Sequence, residues 1–433
     1  MKKVFVNPFA IVQRDESESY IVLTSSPDNI VKIFNPEHPL YGINNIENMV
    51  SRISLLQDTD IDFLCDRNII SFRPFDRDAI LSEIYQREDS QEFFSLTIFP
   101  TLNCNNACVY CYQKHDLQPR MAEAEYKAIY NLVLRKIDEK TKRISLNLMG
   151  GEPTLETRML LPFVRQCLDI CSRNDVVFNA SLTTNGRIMN VGKFVTAGIN
   201  EFQITIDGPE ETHNRLRPGS KGEGTFGTIM KHLISLRDKG GSDIGCTIRV
   251  NHTIESIASP ALHSFLSFLS RYFKKDKRFE IFHNYASDLG GDIDTTILIP
   301  KDGRRNKLEY INTLTREYDL FTKSDVYIPN GRVCYAARNN AVTILPGFKL
   351  LKCTVAIDER FNHVGTLLPE GELEYNENYS LWVDDNAGKK ECGTCEVAPI
   401  CQGRSCPLKR IKFGKNPCPD VKYDNTCFIR TIK

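Results

Sequence analysis

The sequence lacks a surplus of charge of either sign. Lysine plus arginine number 55, aspartate plus glutamate number 55, and the formal net charge is zero. That balance gives no basic surface for nucleic acid or for an anionic membrane. The chain also lacks any apolar run near the roughly 18 residues that a membrane span requires. Its start, MKKVFVNPFAIVQRDES, follows two lysines with only a short apolar stretch, which makes a poor signal peptide. There is no internal repeat and no low-complexity tract, so an array or a disordered linker is excluded. A cytoplasmic protein with no nucleic-acid and no membrane partner is the expectation.

Cysteine, in contrast, is abundant, with fifteen in 433 residues. A chain of this length exceeds one ordinary domain, and two or three are expected. Without a secretion signal the cysteines are not read as a disulfide framework. They cluster instead. Cys104, Cys108 and Cys111 form one knot, and Cys334, Cys353, Cys392, Cys395, Cys401, Cys406, Cys418 and Cys427 crowd the last hundred residues. Clusters of this kind point to metal or iron–sulfur ligation. Cys65, Cys167, Cys171 and Cys246 sit on apolar faces and read as core residues.

The organisation along the chain has four parts. Residues 1–92 read as a small α+β, winged-helix-like module: YIVLTS and NIVKIF as strands around a turn at Ser26 to Asn29, then two or three short helices. Residues 93–300 alternate strands and helices. FFSLTIFP, RISLNLMGG, VVFNASLTTNG, NEFQITIDG, DIGCTIRVNHT and RFEIFHNY are the six strands. Such alternation predicts an α/β fold with a parallel sheet, open or curled into a partial (β/α)6 TIM-like barrel, with chemistry at the carboxyl ends of the strands. Residues 301–330 read as a charged helical connector. Residues 331–433 read as a Cys-rich domain held together by its ligands.

The knot is the most informative stretch. C-x3-C-x2-C supplies three thiolates for three corners of a cubane cluster and leaves one iron open, and open metal positions are where chemistry occurs. The bland alternative is a zinc site completed by His115 or a distant residue. The knot, CNNACVYC, is similar to the C-x3-C-x-aromatic-C signature of radical S-adenosylmethionine (SAM) enzymes, and further landmarks follow in order over about residues 94–285. Gly150, Gly151, Glu152 and Pro153 resemble the GGEP element that meets the SAM amino group. Thr184-Asn185-Gly186 ends the third strand. Gln203, Thr205 and Asp207 resemble the fourth-strand element near the SAM ribose and carboxylate. His213, Asn214 and Arg217 match an HN-x-x-R element, Arg249 and Asn251 the polar fifth strand, and Tyr110 the aromatic position near the adenine.

The carboxy-terminal cysteines resemble the SPASM extension, which implies two auxiliary [4Fe–4S] clusters beside the [4Fe–4S] cluster at the SAM site. The resemblance assigns Cys334, Cys353 and Cys406 to one and Cys392, Cys395 and Cys401 to the other. Cys418 and Cys427 complete the sets in an order left open. The spacing departs from the family pattern by one residue after Gly347 and before Cys406. The resemblance implies reductive cleavage of SAM to a 5′-deoxyadenosyl radical, an electron donor of the flavodoxin or ferredoxin type, and a peptide substrate. The expected function is maturation of a ribosomally made peptide by a thioether or carbon–carbon cross-link, its leader peptide docked on the first module. Formylglycine formation, as in anaerobic sulfatase maturation, is the alternative. A non-catalytic iron–sulfur scaffold that presents peptides is the alternative from another class, and RNA modification is disfavoured by the charge balance. Tyr285 and Asp288, with His283 and Asn284, are the candidates for substrate contact or a general base after the sixth strand.

Overall fold

The computed structural model describes residues 3–15, 18–26, 30–88, 90–113, 119–257, 259–289, 293–300, 304–323, 329, 331–383, 390–414, 417–419 and 422. His115, Cys427 and the turn residues Pro27 to Asn29 lie outside this set. Two compact units result: residues 1–90, 324–339 and 380–433 form one, and residues 91–323 and 340–379 form the other. The segment 331–433 is therefore shared between them.

The first unit opens with β1 (Phe5–Val6), β2 (Ala10–Asp15), β3 (Glu18–Leu23) and β4 (Ile30–Ile33), followed by α1 (Ile46–Arg52), α2 (Asp58–Asp66), β5 (Ile70–Ser71) and α3 (Arg77–Glu88). The two expected strands are β3 and β4, and β2 precedes them in an antiparallel sheet of order β2-β3-β4. Their runs AIV, YIVL and IVKI are almost wholly apolar because the sheet is covered on both faces. Val12, Ile21, Leu23 and Ile33 pack with Met49, Leu64 and Leu81 of the helical side. Ile11, Tyr20, Val22 and Ile30 pack with Val397, Ile400 and Cys395 from the end of the chain.

The second unit holds one eleven-stranded sheet. The expected strands appear as β6 (Phe93–Ile98), β7 (Arg143–Leu148), β8 (Val177–Thr184), β9 (Ile199–Thr205), β10 (Gly245–His252) and β11 (Phe279–Tyr285). The helices between and after them are α4 (Glu123–Asp138), α5 (Thr157–Arg173), α6 (Val191–Ala197), α7 (Glu210–Leu216), α8 (Phe226–Lys239), α9 (Ser259–Phe273) and α10 (Arg304–Glu317). β12 (Phe321–Thr322) adds beside β11, and β13 (Ala341–Leu345) adds parallel to β6. An antiparallel set, β14 (Lys349–Leu351), β15 (His363–Leu367) and β16 (Leu373–Tyr375), extends the sheet. These last strands have three to five residues and no long periodicity, which is why the sequence did not announce them. α10 is the helix of the expected connector. Cys167, Cys171 and Cys246 are core residues.

The parallel strands set apolar residues on one face and mostly polar ones on the other, with a register shift at Ala180 and Ser181. Leu96, Ile144, Leu146, Leu182, Ile204 and Ile248 are buried on one face. On the other face Thr97, Asn147 and Ser181 are in register, as are Thr183, Gln203 and Thr247, with Arg249 beside Thr205. A parallel sheet sealed on both faces reads as continuous apolar runs. Here the second face is polar, as the wall of a ligand-lined barrel interior must be. The carboxyl ends of β6 to β10 share one edge, so the cysteine loop, GGEP, TNG and DGP segments are brought to that edge together.

Candidate active site

The cysteine loop follows β6 and is fastened on two sides. Ala107 N donates to Pro218 O at 2.9 Å and Val109 N to Leu216 O at 3.0 Å, which ties it to the end of α7. On the other side, Gly151 N donates to Thr101 O at 3.0 Å and Glu152 N to Asn103 O at 2.8 Å. This approach needs both glycines. A Cβ at Gly150, whose φ is +138°, would lie 2.5 Å from Thr101 O, and one at Gly151 would lie 2.2 Å from Asn103 O.

Glu152 is fully buried and its carboxylate is used within the protein. Oε1 accepts from Thr154 N at 3.0 Å, from Thr154 Oγ1 at 2.7 Å and from Thr184 Oγ1 at 2.7 Å. Oε2 accepts from Asn185 N at 2.7 Å. Burial raises its pKa, and these donors act in the opposite direction. The carboxylate thus joins the ends of β7 and β8. Asn185, fixed by it, donates from Nδ2 to Asn105 Oδ1 at 2.7 Å and lies 3.8 Å from Cys104 Sγ. Pro153 opens the turn that follows, at the first position of a short 3₁₀ helix.

A second buried network joins β9, β10 and the loop. Asp207 accepts from the Tyr110 hydroxyl, and its Oδ1 accepts from Asn251 N at 2.7 Å. Arg217 Nη1 donates to Tyr110 Oη at 2.6 Å and stands 3.8 Å from Asp207 Oδ2. Arg249 Nε donates to Asn251 Oδ1 at 2.9 Å, with its guanidinium 5.6 Å from the Phe282 ring centre. Burial pulls the Arg217 pKa down, but Cys108, Tyr110 and Asp207 outweigh it and hold the guanidinium charged. Burial raises the Asp207 pKa against the opposing pull of Arg217. His213 on α7 accepts from Asp207 N at 3.1 Å and pairs with Thr225 Oγ1 at 3.0 Å. Gln203 and Thr205 stand on β9, on the face of Arg249's neighbours.

The loop fits an iron–sulfur cluster by its chemistry. Burial pushes the Cys104 thiol up to about 12, and raises Cys108 and Cys111 as well. Such thiols become thiolates only against a metal centre. Asn106 N lies 3.4 Å from Cys104 Sγ, a donor aimed at sulfur. Three buried polar atoms beside the loop have no protein partner: Asn106 Nδ2, Gln113 Oε1 and Arg217 Nε. Among the described residues, no three His, Cys, Asp or Glu converge tightly enough for a single metal ion. Sulfurs that ligate different irons of a cluster stand further apart.

The remaining cysteines divide between the units. Cys401, pushed up to about 11 by burial first, also feels the charges of Cys395, Cys392 and Cys418. Cys334 N donates to Arg404 O at 3.1 Å, two residues before Cys406. Cys353 lies in the second unit, where the fully buried Asn362 binds both its N–H, at 2.9 Å, and its carbonyl, at 2.8 Å. Tyr112, next to Cys111, reaches Thr354 O at 3.1 Å.

Of the candidates at the end of β11, Asn284 stands in register with Asn251 on the polar face, and Tyr285 and His283 stand on the opposite one. Tyr285 alternates to the helix-covered face, and its hydroxyl is engaged by Arg304 O. His283 shares that face in a buried pair with His252 at 2.9 Å. Asp288 is exposed. Sequence reasoning missed Asn105, Asn106, Thr225, Asn362 and Arg187. Arg187, directly after the TNG segment, donates to Asn105 O and pairs with Glu223.

Residues 98–260 match the Radical SAM superfamily. The chain carries a radical SAM domain. A domain of this kind implies SAM and one [4Fe–4S] cluster as cofactors and indicates an enzyme of radical SAM chemistry. Curated relatives include the cysteine-type anaerobic sulfatase-maturating enzyme of Clostridium perfringens strain 13, 26% identical, covering 76% of this chain and 91% of that protein. The same-named enzyme of Clostridium novyi is 26% identical over 41% of this chain, and the match spans about half, 47%, of that relative. The solved structure "Native anSMEcpe with bound AdoMet and Kp18Cys peptide" superposes with a TM-score of 0.57 at 17% identity, over 78% of this chain and 97% of the other. Streptococcus suis SuiB bound to S-adenosylmethionine gives 0.50 at 15% identity, over 94% and 96%. At these identities the structures report the fold. No helix among the described residues is long and apolar enough to cross a membrane.

Proposed function

We propose that this radical SAM enzyme matures a ribosomally made peptide by a thioether or carbon–carbon cross-link, with the peptide's leader docked on residues 1–92. The observation that carries this reading is the outer edge of β4. Among the described residues no strand pairs with it. Beside it, between β4 and α2, runs a mostly apolar groove of about 230 Å³ lined by Ile33, Phe34, Leu40, Phe63 and Leu64, with Lys32, Asn35, His38 and Asp60 as its polar lining. Phe34 is 68% and Phe63 46% exposed, a large apolar surface to leave in water. An open edge beside an apolar groove is the geometry of strand addition, in which the main chain gives affinity and alternate side chains give specificity.

In this reading Cys104, Cys108 and Cys111 hold the cluster that binds SAM. Tyr110, Gly150, Gly151, Asn185, Gln203, Thr205, Arg217 and Arg249 surround the cofactor. When bound, SAM and the cluster supply hydrogen-atom abstraction, chemistry that side chains alone do not provide. The chain's own residues position and neutralise. Arg217, charged and with Nε unpartnered, and Arg249 are the cations for an anionic group, and the polar face of the sheet takes the rest. Cys392, Cys395, Cys401 and Cys418 would hold one auxiliary cluster, and Cys334, Cys353 and Cys406, with Cys427 as the remaining cysteine, the other. A flavodoxin- or ferredoxin-type protein would supply the electron.

The second reading is formylglycine formation on a protein, favoured by the names of the curated relatives. One experiment separates the two. The protein is co-expressed anaerobically with a short peptide encoded beside its gene, and the peptide is analysed by mass spectrometry. Loss of two hydrogens with an internal bridge supports the first reading. A hydrazide-reactive aldehyde supports the second, and an unmodified peptide contradicts the first.

A further inference from the structure

The first unit contains an arrangement that the radical chemistry does not use. Arg77 is the first residue of α3, where a cation meets the positive end of the helix dipole. Its acceptors explain why it stands there. Nε donates to Gly393 O at 2.5 Å and Nη2 to Cys395 O at 2.6 Å. The guanidinium stacks 4.4 Å from the Phe9 ring centre, and Nη1 lies 3.4 Å from Pro8 O. Thr24 Oγ1 adds a contact to Glu396 O at 2.6 Å. Three peptide carbonyls of the Cys392–Cys395 turn and its exit, those of Gly393, Cys395 and Glu396, are therefore engaged by the amino-terminal module.

The packing points the same way. One face of the β2-β3-β4 sheet packs against Val397 and Ile400, which lie between Cys395 and Cys401, and Cys395 itself packs on both of the module's apolar clusters. A planar fork that holds two carbonyls of one turn fixes that turn more firmly than a lysine could.

We propose that the amino-terminal module is the seat of the 392–401 cysteine site, and that Arg77 is a positioning residue which fixes the Cys392–Cys395 loop and sets a permanent positive charge beside the cluster held there. The proposal rests on reading these cysteines as an iron–sulfur site, and is independent of the peptide assignment. A fixed cation beside a cluster favours its reduced form, so the guanidinium raises the reduction potential. The fork also slows loss of iron.

The test uses the full chain, reconstituted anaerobically with iron and sulfide. Iron release to a chelator is timed, and the clusters are titrated by electron paramagnetic resonance. Cys395→Ser identifies the signal that belongs to this site. Arg77→Gln is expected to lower the potential of that signal and to speed its iron loss several-fold, leaving the other signals unchanged. Arg77→Lys is expected to keep the potential close to that of the parent but to lose iron faster, and Arg73→Gln, an exposed arginine of the same module, to match the parent. An Arg77→Gln protein with parental potential and parental iron release overturns the proposal. So does a Cys395→Ser protein that loses no signal. If Arg77→Gln does not fold, the separation of potential from iron loss in Arg77→Lys still decides. SAM cleavage, measured alongside, reports the Cys104 site and stays at the parental level.

Discussion

Asp207→Asn tests the network that ties Tyr110 to the strand ends. Asp207 is fully buried and Arg217 is 8% exposed, and the pair stands 3.8 Å apart. At an effective dielectric of about 20, charges at that separation attract by about 4 kcal/mol. Removing one partner of a buried pair costs about 3–5 kcal/mol, because the other charge is left stranded. The amide cannot serve both existing donors. If its oxygen faces Asn251 N, its NH2 faces the Tyr110 hydroxyl. Thermal unfolding of the second unit is the assay. At roughly 2–4 °C per kcal/mol for a domain of this size, the melting temperature falls by roughly 10 °C. Arg217→Met in the same chain removes the stranded cation and recovers most of the loss. A shift under about 2 °C for Asp207→Asn, or strict additivity of the two substitutions, refutes the reasoning.

Three further outcomes are expected. Gly151→Ala places a Cβ 2.2 Å from Asn103 O and 2.5 Å from Leu102 O, so the cysteine loop has to shift. The cost is about 1–3 kcal/mol, read by thermal unfolding, with less iron bound at Cys104 to Cys111. His213 is held at about 3 against an ordinary 6.5 by burial and then by Arg217. The unfolded chain therefore binds its proton first. The stability that neutral His213 confers is intact above 6.5 and falls with pH, by about 2 kcal/mol near pH 5, and His213→Gln flattens that part of a stability–pH curve. Asn362→Leu strands Lys352 N, Cys353 N, Cys353 O and Ala356 O, all now bonded to one buried amide. At about 1–3 kcal/mol for each stranded group the loop bearing Cys353 opens, which hydrogen exchange at Cys353 and Thr354 reports.

The six strands of 93–300 were legible because apolar residues alternate there with polar ones, and each strand ends in a recognisable turn. The cysteine loop, GGEP and TNG segments were legible because their residue types are rare in combination. What those residues do to one another was not. Glu152, expected to face a ligand's amino group, spends its carboxylate on Thr154, Thr184 and Asn185, a use fixed only by the register of β7 against β8. Tyr110, expected beside an adenine, gives its hydroxyl to Asp207, which is 97 residues away. The strands β13 to β16 escaped because they are short and lie in a Gly- and Pro-rich segment. The covering of the β2-β3-β4 sheet by Val397 and Ile400 escaped because periodicity tells that a face is buried but not what buries it.

The central claim is that the three-cysteine loop supports reductive cleavage of SAM. The anaerobically reconstituted chain is mixed with SAM and dithionite, and 5′-deoxyadenosine and methionine are quantified. The account requires equal amounts of the two products, and their loss when Cys104, Cys108 and Cys111 are together replaced by alanine. A reconstituted protein that leaves SAM intact, or an alanine variant that cleaves it as well as the parent, contradicts the account.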